Sequence, residues 1–88
     1  MKFEISVKTS AQKEARKVPP KTLLKLKQAL DKLAENPRPH GAKRLQGTKE
    51  EIYRIRVGDY RVLYEIKENQ LVIIVIRIAH RKNVYKKI

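Results

Sequence analysis

Phe3, Ile5 and Val7 alternate with Lys2, Glu4, Ser6 and Lys8 at the start of the chain, the period-two pattern of a strand with one buried face. Thr9 or Ser10 can cap a short helix, with Glu14 near its first turn, that runs until Val18 meets Pro19 and Pro20, because a proline keeps the residue before it out of helical geometry. From Lys21, Leu23, Leu26, Leu30, Leu33 and Ala34 recur at helical spacing, with Lys25, Lys32 and Glu35 outward, until Asn36-Pro37 stops the pattern. This second helix lays one leucine stripe on a sheet. Residues Arg38 to Glu51 contain Pro39, Gly41 and Gly47 and lack a period, so they read as a basic loop with Leu45 turned inward.

Ile52 to Val57, Tyr60 to Lys67 and Leu71 to Ile78 read as three strands, separated by hairpin turns at Gly58-Asp59 and Glu68-Asn69-Gln70. The order β-α-α-β-β-β predicts an α+β fold: a mainly antiparallel twisted sheet with a helical hairpin packed on one face. At 88 residues the chain has room for one core, so residues 1–88 are expected to form one domain. The apolar run from Leu71 to Ala79 is too short for a membrane helix and suits a central strand. The charged and apolar alternation of the N-terminus is unlike a signal sequence. A soluble, cytoplasmic protein with no membrane partner is therefore expected.

Alternation also predicts faces. In the Ile52–Val57 strand, Tyr53, Ile55 and Val57 point one way and Arg54 and Arg56 the other. A two-residue turn at Gly58-Asp59 pairs Val57 with Tyr60, Arg56 with Arg61 and Ile55 with Val62, which keeps Tyr60, Val62 and Tyr64 on the core side and adds Arg61 to a cationic face. Arginines directly opposite each other cost stability, which suggests an anionic ligand between them. The alternative is a solvated face neutralised by carboxylates such as Glu65.

Charge sharpens this picture. The formal net charge is +13, from 22 basic and 9 acidic residues, and such an excess acts on polyanions through long-range attraction and counterion release. Nucleic acid is the leading partner, although basic surfaces also serve solubility or dock on acidic proteins and anionic membranes. With no cysteine and with His40 and His80 far apart in sequence, no metal or other cofactor is expected.

The last strand leads into His80-Arg81-Lys82-Asn83-Val84-Tyr85, which offers an imidazole, a guanidinium and a phenol within six positions. Metal-free RNA cleavage uses the ribose 2′-hydroxyl as nucleophile, so a protein must help remove its proton, offset phosphorane charge and protonate the 5′-oxygen. His80, whose ordinary pKa is about 6.5, is the natural proton carrier. A histidine after a strand is also often structural, and Tyr85 could simply anchor the tail.

Taken together, the opening strand, the helical hairpin, the segment NPRPHGAKRLQG, the segment YRIRVGDYRVLYEI, the apolar strand and the closing HRKNVY resemble the RelE/ParE toxin superfamily across essentially the whole chain. The resemblance implies a RelE-like fold and a toxin held by a cognate antitoxin. RelE-like members cleave messenger RNA on the ribosome, whereas ParE-like members poison DNA gyrase on the same fold, so fold alone leaves the activity open. The resemblance maps the family's basic site to Arg54, Arg56, Arg61, Arg81 and Tyr85. Arginines stand at both second-strand positions where lysines are familiar, and arginine is too basic to act as a general base. Arg54 and Arg56 are therefore assigned to phosphate binding, with Lys43, Arg44 and Lys82 as further RNA contacts. Arg61 and Arg81 are assigned to phosphorane stabilisation, and His80 or Tyr85 to proton transfer. Glu50 and Glu51, just before the strand, could equally belong to a solvated loop. A gyrase poison and a noncatalytic nucleic-acid-binding module remain the alternatives.

Overall fold

A computed structural model describes residues 2–81 and contains, in chain order, β1 (Glu4–Val7), α1 (Thr9–Ala15), α2 (Pro20–Glu35), β2 (Lys43–Arg44), β3 (Ile52–Val57), β4 (Tyr60–Lys67) and β5 (Val72–His80). The strands form one sheet in the order β1-β5-β4-β3-β2. Every pairing is antiparallel except β1 with β5, which lie side by side because the intervening chain crosses over one face. No helix among the described residues is long and apolar enough to cross a membrane.

The helices follow the proline punctuation. α1 ends at Ala15, before the expected Val18, and its N-cap is Lys8 with no side-chain cap; neither Thr9 nor Ser10 caps it, because Thr9 is already the first helical residue. Gln12 covers the entry instead, donating from Nε2 to the Val7 carbonyl at 2.9 Å. Pro20 stands at the first turn of α2, where its missing N–H costs nothing. Asn36 is extended at φ −141, as the following Pro37 requires, and ends the helix. The Ala34 carbonyl at that end accepts the Phe3 N–H at 2.7 Å, tying α2 to the start of β1.

The leucine stripe meets the sheet as expected. Leu26 and Leu33 of α2 and Ala11 of α1 share one core with Ile55, Val57, Val62, Tyr64, Ile66, Ile73, Val75 and Ile78. Leu45 is turned inward too, but onto the other sheet face, where it packs with Leu63, Ile76 and Ala79.

Two departures from the sequence reading matter for function. The loop between α2 and β3 contains the two-residue strand β2, which pairs Lys43 with Arg54 and Arg44 with Tyr53. β5 runs from Val72 to His80 and carries a bulge: Leu63 faces Arg77 and Tyr64 faces Val75, leaving Ile76 as the extra residue. The bulge resets the alternation. Val75 and Ile78, three positions apart, both enter the main core, while Ile76 and Ala79 enter the opposite cluster.

Leu33 is fully buried whereas Leu24 is 60% exposed. Leu33→Ala is expected to destabilise by about 2–5 kcal/mol, and Leu24→Ala by no more than about 0.5 kcal/mol. Urea unfolding of the two variants checks the assignment of the helix face.

Candidate nucleic-acid interface

On the face away from the helices, Arg56 stands directly opposite Arg61, and Arg54 stands between Leu63 on β4 and Lys43 on β2. Cross-strand partners project to the same side, so the register itself gathers these cations. Lys43, Arg54, Arg56 and Arg61, with Gly41, line a cleft of about 180 Å³ whose lining, among the described residues, includes no acidic side chain. Gly41 holds φ +95, a left-handed conformation that turns the loop back toward β3. Arg54 and Arg61 are half-buried, whereas Lys43 and Arg56 are exposed. Arg56 Nε donates to the Gly58 carbonyl at 3.3 Å, directing its side chain toward the β3–β4 turn.

Such a cleft can hold phosphate. Guanidinium forks donate paired hydrogen bonds, keep their charge at any working pH and suit the oxygens of a nucleic-acid backbone. They can also offset charge developing on a phosphorus centre.

The remaining predicted residues divide. Arg44 lies opposite Tyr53, so its position belongs to the helix-side face, away from Arg54. His80 lies opposite Tyr60, with the two rings 5.4 Å apart at 81°. It lines a separate recess of about 250 Å³ with Glu14, Lys17, Tyr60, Arg77, Ile78 and Ala79. His80, expected with Tyr85 as one of two candidates for proton transfer, is therefore set apart from the arginines, because the pleat sends His80 and Arg61 to opposite sides of the sheet. Arg81 extends the β4–β5 pairing by one step, its N–H donating to the Asp59 carbonyl at 2.8 Å. That step puts Arg81 on the Arg61 side, although it does not line the cleft. Lys82 and Tyr85 lie outside the described residues. Glu65, the expected neutraliser, pairs with Lys67 at 3.5 Å.

Sequence reasoning missed Arg38. Its Nη2 reaches Glu51 at 2.7 Å and Glu68 at 2.8 Å, its Nε donates to the Tyr53 hydroxyl at 3.2 Å, and its guanidinium lies 5.5 Å from the Tyr53 ring centre. The hydrogen bond it donates to Glu68, then the one to Tyr53, strengthens its hold on its proton. Beside it, the Tyr64 hydroxyl donates to the Pro37 carbonyl at 2.7 Å and the Tyr53 and Tyr64 rings stack at 6.1 Å. The knot clamps the start of the loop that carries Gly41 and Lys43. Glu51 thus has a structural bond, and the only hint in the sequence was an arginine set between two prolines.

Residues 5–85 match the family model described as ParE toxin of type II toxin-antitoxin system, parDE. The RelE1 protein of Methanocaldococcus jannaschii is 35% identical over 89 residues, covering 98% of each chain. Among solved structures, the archaeal RelE in its RelE–RelB complex from Pyrococcus horikoshii superposes with a TM-score of 0.83 at 26% identity, covering 92% of this chain and 97% of that one. The isolated E. coli RelE toxin gives a TM-score of 0.77 at 26% identity, covering 89% of this chain and 83% of that one.

Two outcomes test the geometry. Arg56→Thr removes one member of the like-charged pair and should stabilise the fold by about 0.2–1 kcal/mol at low salt, less as salt rises. The same change should weaken RNA binding and reduce its salt slope by about 0.7; urea unfolding and RNA titrations at several salt concentrations check both. Burial, with Tyr53 adding and Arg38 opposing, pushes the Tyr64 phenol up from its ordinary value. A raised folded-state pKa gives stability that is full below about pH 10 and lost as pH climbs past it. Tyr64→Phe should flatten that alkaline loss while costing about 1 kcal/mol at neutral pH, through the Pro37 carbonyl left without its donor; unfolding curves between neutral and alkaline pH measure the difference.

Proposed function

The chain belongs to the RelE/ParE family of type II toxin–antitoxin toxins, and from that premise we propose that it is a ribosome-dependent, metal-independent messenger RNA endonuclease that inhibits translation in the cytoplasm. The observation that carries this reading is the cleft in which Lys43, Arg54, Arg56 and Arg61 converge on the sheet face away from the helices.

The substrate is a backbone phosphate and its flanking riboses, held by Lys43, Arg54 and Arg56. Attack forms the bond from the 2′-oxygen to phosphorus and breaks the bond from phosphorus to the 5′-oxygen. One proton leaves the 2′-hydroxyl and one is delivered to the departing oxygen, leaving a 2′,3′-cyclic phosphate and a 5′-hydroxyl. Arg61 and Arg81 offset the added negative charge of the phosphorane. Proton transfer is assigned to Tyr85, with His40, which directly precedes the cleft-lining Gly41, as the imidazole to compare; His80 lies across the sheet from the cleft. The ribosome supplies the remaining order by holding messenger RNA against the cleft, an entropic contribution that a small protein with an open face cannot make alone.

A cognate antitoxin is the protein partner in this reading, since the related Pyrococcus horikoshii RelE was solved as a RelE–RelB complex. Acidic residues in that partner would speed its association with so basic a chain. A second reading, a DNA gyrase poison, is favoured by the matching family model, which carries the ParE description.

The test adds purified protein to a programmed translation complex, with and without ribosomes, maps messenger RNA ends and assays gyrase cleavage in parallel. Ribosome-dependent cuts are expected, and Arg61→Ala or Arg81→Ala should slow them by about 10²–10³-fold. Trapped gyrase breaks with intact RNA would replace this reading by the ParE one. RNA bound but uncut, with no gyrase effect, would make the protein a noncatalytic binding module.

A further inference from the structure

β1 stops at Val7 while its neighbour β5 continues to His80. Beyond Val75, whose carbonyl accepts the Lys8 N–H at 3.0 Å, β5 has no strand on that side among the described residues. Glu14 of α1 occupies the gap: its Oε1 accepts the Ile78 N–H at 2.8 Å and its Oε2 accepts Arg77 Nε at 3.2 Å.

That hydrogen bond selects one register. In a regular strand the backbone groups of successive residues point alternately to the two neighbours. Val75 points toward β1, so regular alternation would turn the Ile78 N–H toward β4. The extra residue Ile76 reverses this, and only then does the Ile78 N–H reach Glu14. The same reversal decides the face of every later residue: Ile78 goes to the core, Ala79 to the opposite cluster, His80 to the Tyr60 side and Arg81 to the Arg61 side. Arg81 then lies diagonal to Arg61 across the ladder, a separation of roughly 7–8 Å in antiparallel sheets. Without the bulge, Arg81 would emerge on the helix side.

We propose that Glu14 is a positioning residue: by bonding the Ile78 N–H and Arg77 it holds the β5 bulge, and through the bulge it sets Arg81 on the cationic face. The role of Arg81 in that site rests on the function proposed above, whereas the effect of Glu14 on the register does not. Glu14 does not line the cleft. Burial of Ile78 favours the same register, so loss of Glu14 loosens the end of β5 without abolishing the fold.

The test is amide hydrogen exchange on Glu14→Ala and Glu14→Gln, together with binding of a short single-stranded RNA at low salt. In Glu14→Ala the Arg81 amide, which donates to Asp59 on the β4 side, should exchange at least about 10-fold faster while the central Ile73 amide keeps its protection. Glu14→Gln retains an acceptor for Ile78 and should fall between, and it substitutes for Glu14→Ala if that variant does not fold. Arg81→Ala should weaken RNA binding in the wild-type background but have little further effect in Glu14→Ala, whereas Arg56→Ala should weaken both backgrounds equally. An Arg81 amide as protected in both variants as in the wild type would overturn the proposal. If Arg81→Ala leaves wild-type RNA binding unchanged, the site reading fails at Arg81, and the exchange rates still decide the role of Glu14.

Discussion

In the β3–β4 hairpin, Ile55 faces Val62, Arg56 faces Arg61 and Val57 faces Tyr60, so a single register decides which side chains are core and which are cleft. A slip of one residue would put Arg54, Arg56 and Arg61 against the helices and Tyr64 into water. Burying three guanidiniums in an apolar core is prohibitive, so the leucine stripe that demands apolar residues on one face also fixes the cations on the other. The cleft is thus a by-product of the same burial that makes the fold. This is why a cluster of like charges can persist: the repulsion between Arg56 and Arg61 is a cross-strand term of about a kcal/mol or less, small against a core built around fully buried Tyr64, Leu33, Ile73, Val62 and Val75.

The hairpin alone does not complete the site. Lys43 and Gly41 come from the loop after α2, and Arg81 comes from the end of β5, and each is held by a knot of charge where the backbone ladder has run out. Arg38 binds Glu51, Glu68 and the Tyr53 hydroxyl at the loop's start, and Glu14 binds Ile78 and Arg77 beyond the end of β1. The Arg38 pairs are exposed and individually weak, whereas the Glu14 bonds are partly buried. Here each couples two segments distant in sequence, and their effect is on where a segment sits more than on whether the domain folds.

The contrast explains what the sequence disclosed. The faces of β3 and β4 were legible because polar and apolar residues alternate there and because Gly58-Asp59 fixes the pairing. β2 was not, since two residues cannot display a period. The bulge was hidden because Val72-Ile73-Ile74-Val75-Ile76 offers the same side-chain character to both faces, and both faces of β5 are covered. A strand read through that run without its extra residue gives the wrong face for the residues beyond it. His80 and Arg81 then look like one constellation, whereas the pleat separates them. Arg38 and Glu14 escaped notice for a further reason: their partners lie up to 30 and 64 positions away, beyond any local pattern.

Function inherits the same logic. A surface that gathers Lys43, Arg54, Arg56 and Arg61 concentrates positive charge, and an anion that binds there stabilises the folded state to a degree set by its concentration relative to its affinity. Under the proposed function two anions compete for that role: the RNA backbone, as substrate, and acidic side chains of an antitoxin, as inhibitor. Because both would draw on the same concentrated positive charge, tight substrate binding and tight inhibition are not independent properties of the cleft. A change that lowers its charge weakens both, which ties the potency of the toxin to the ease with which it is held in check.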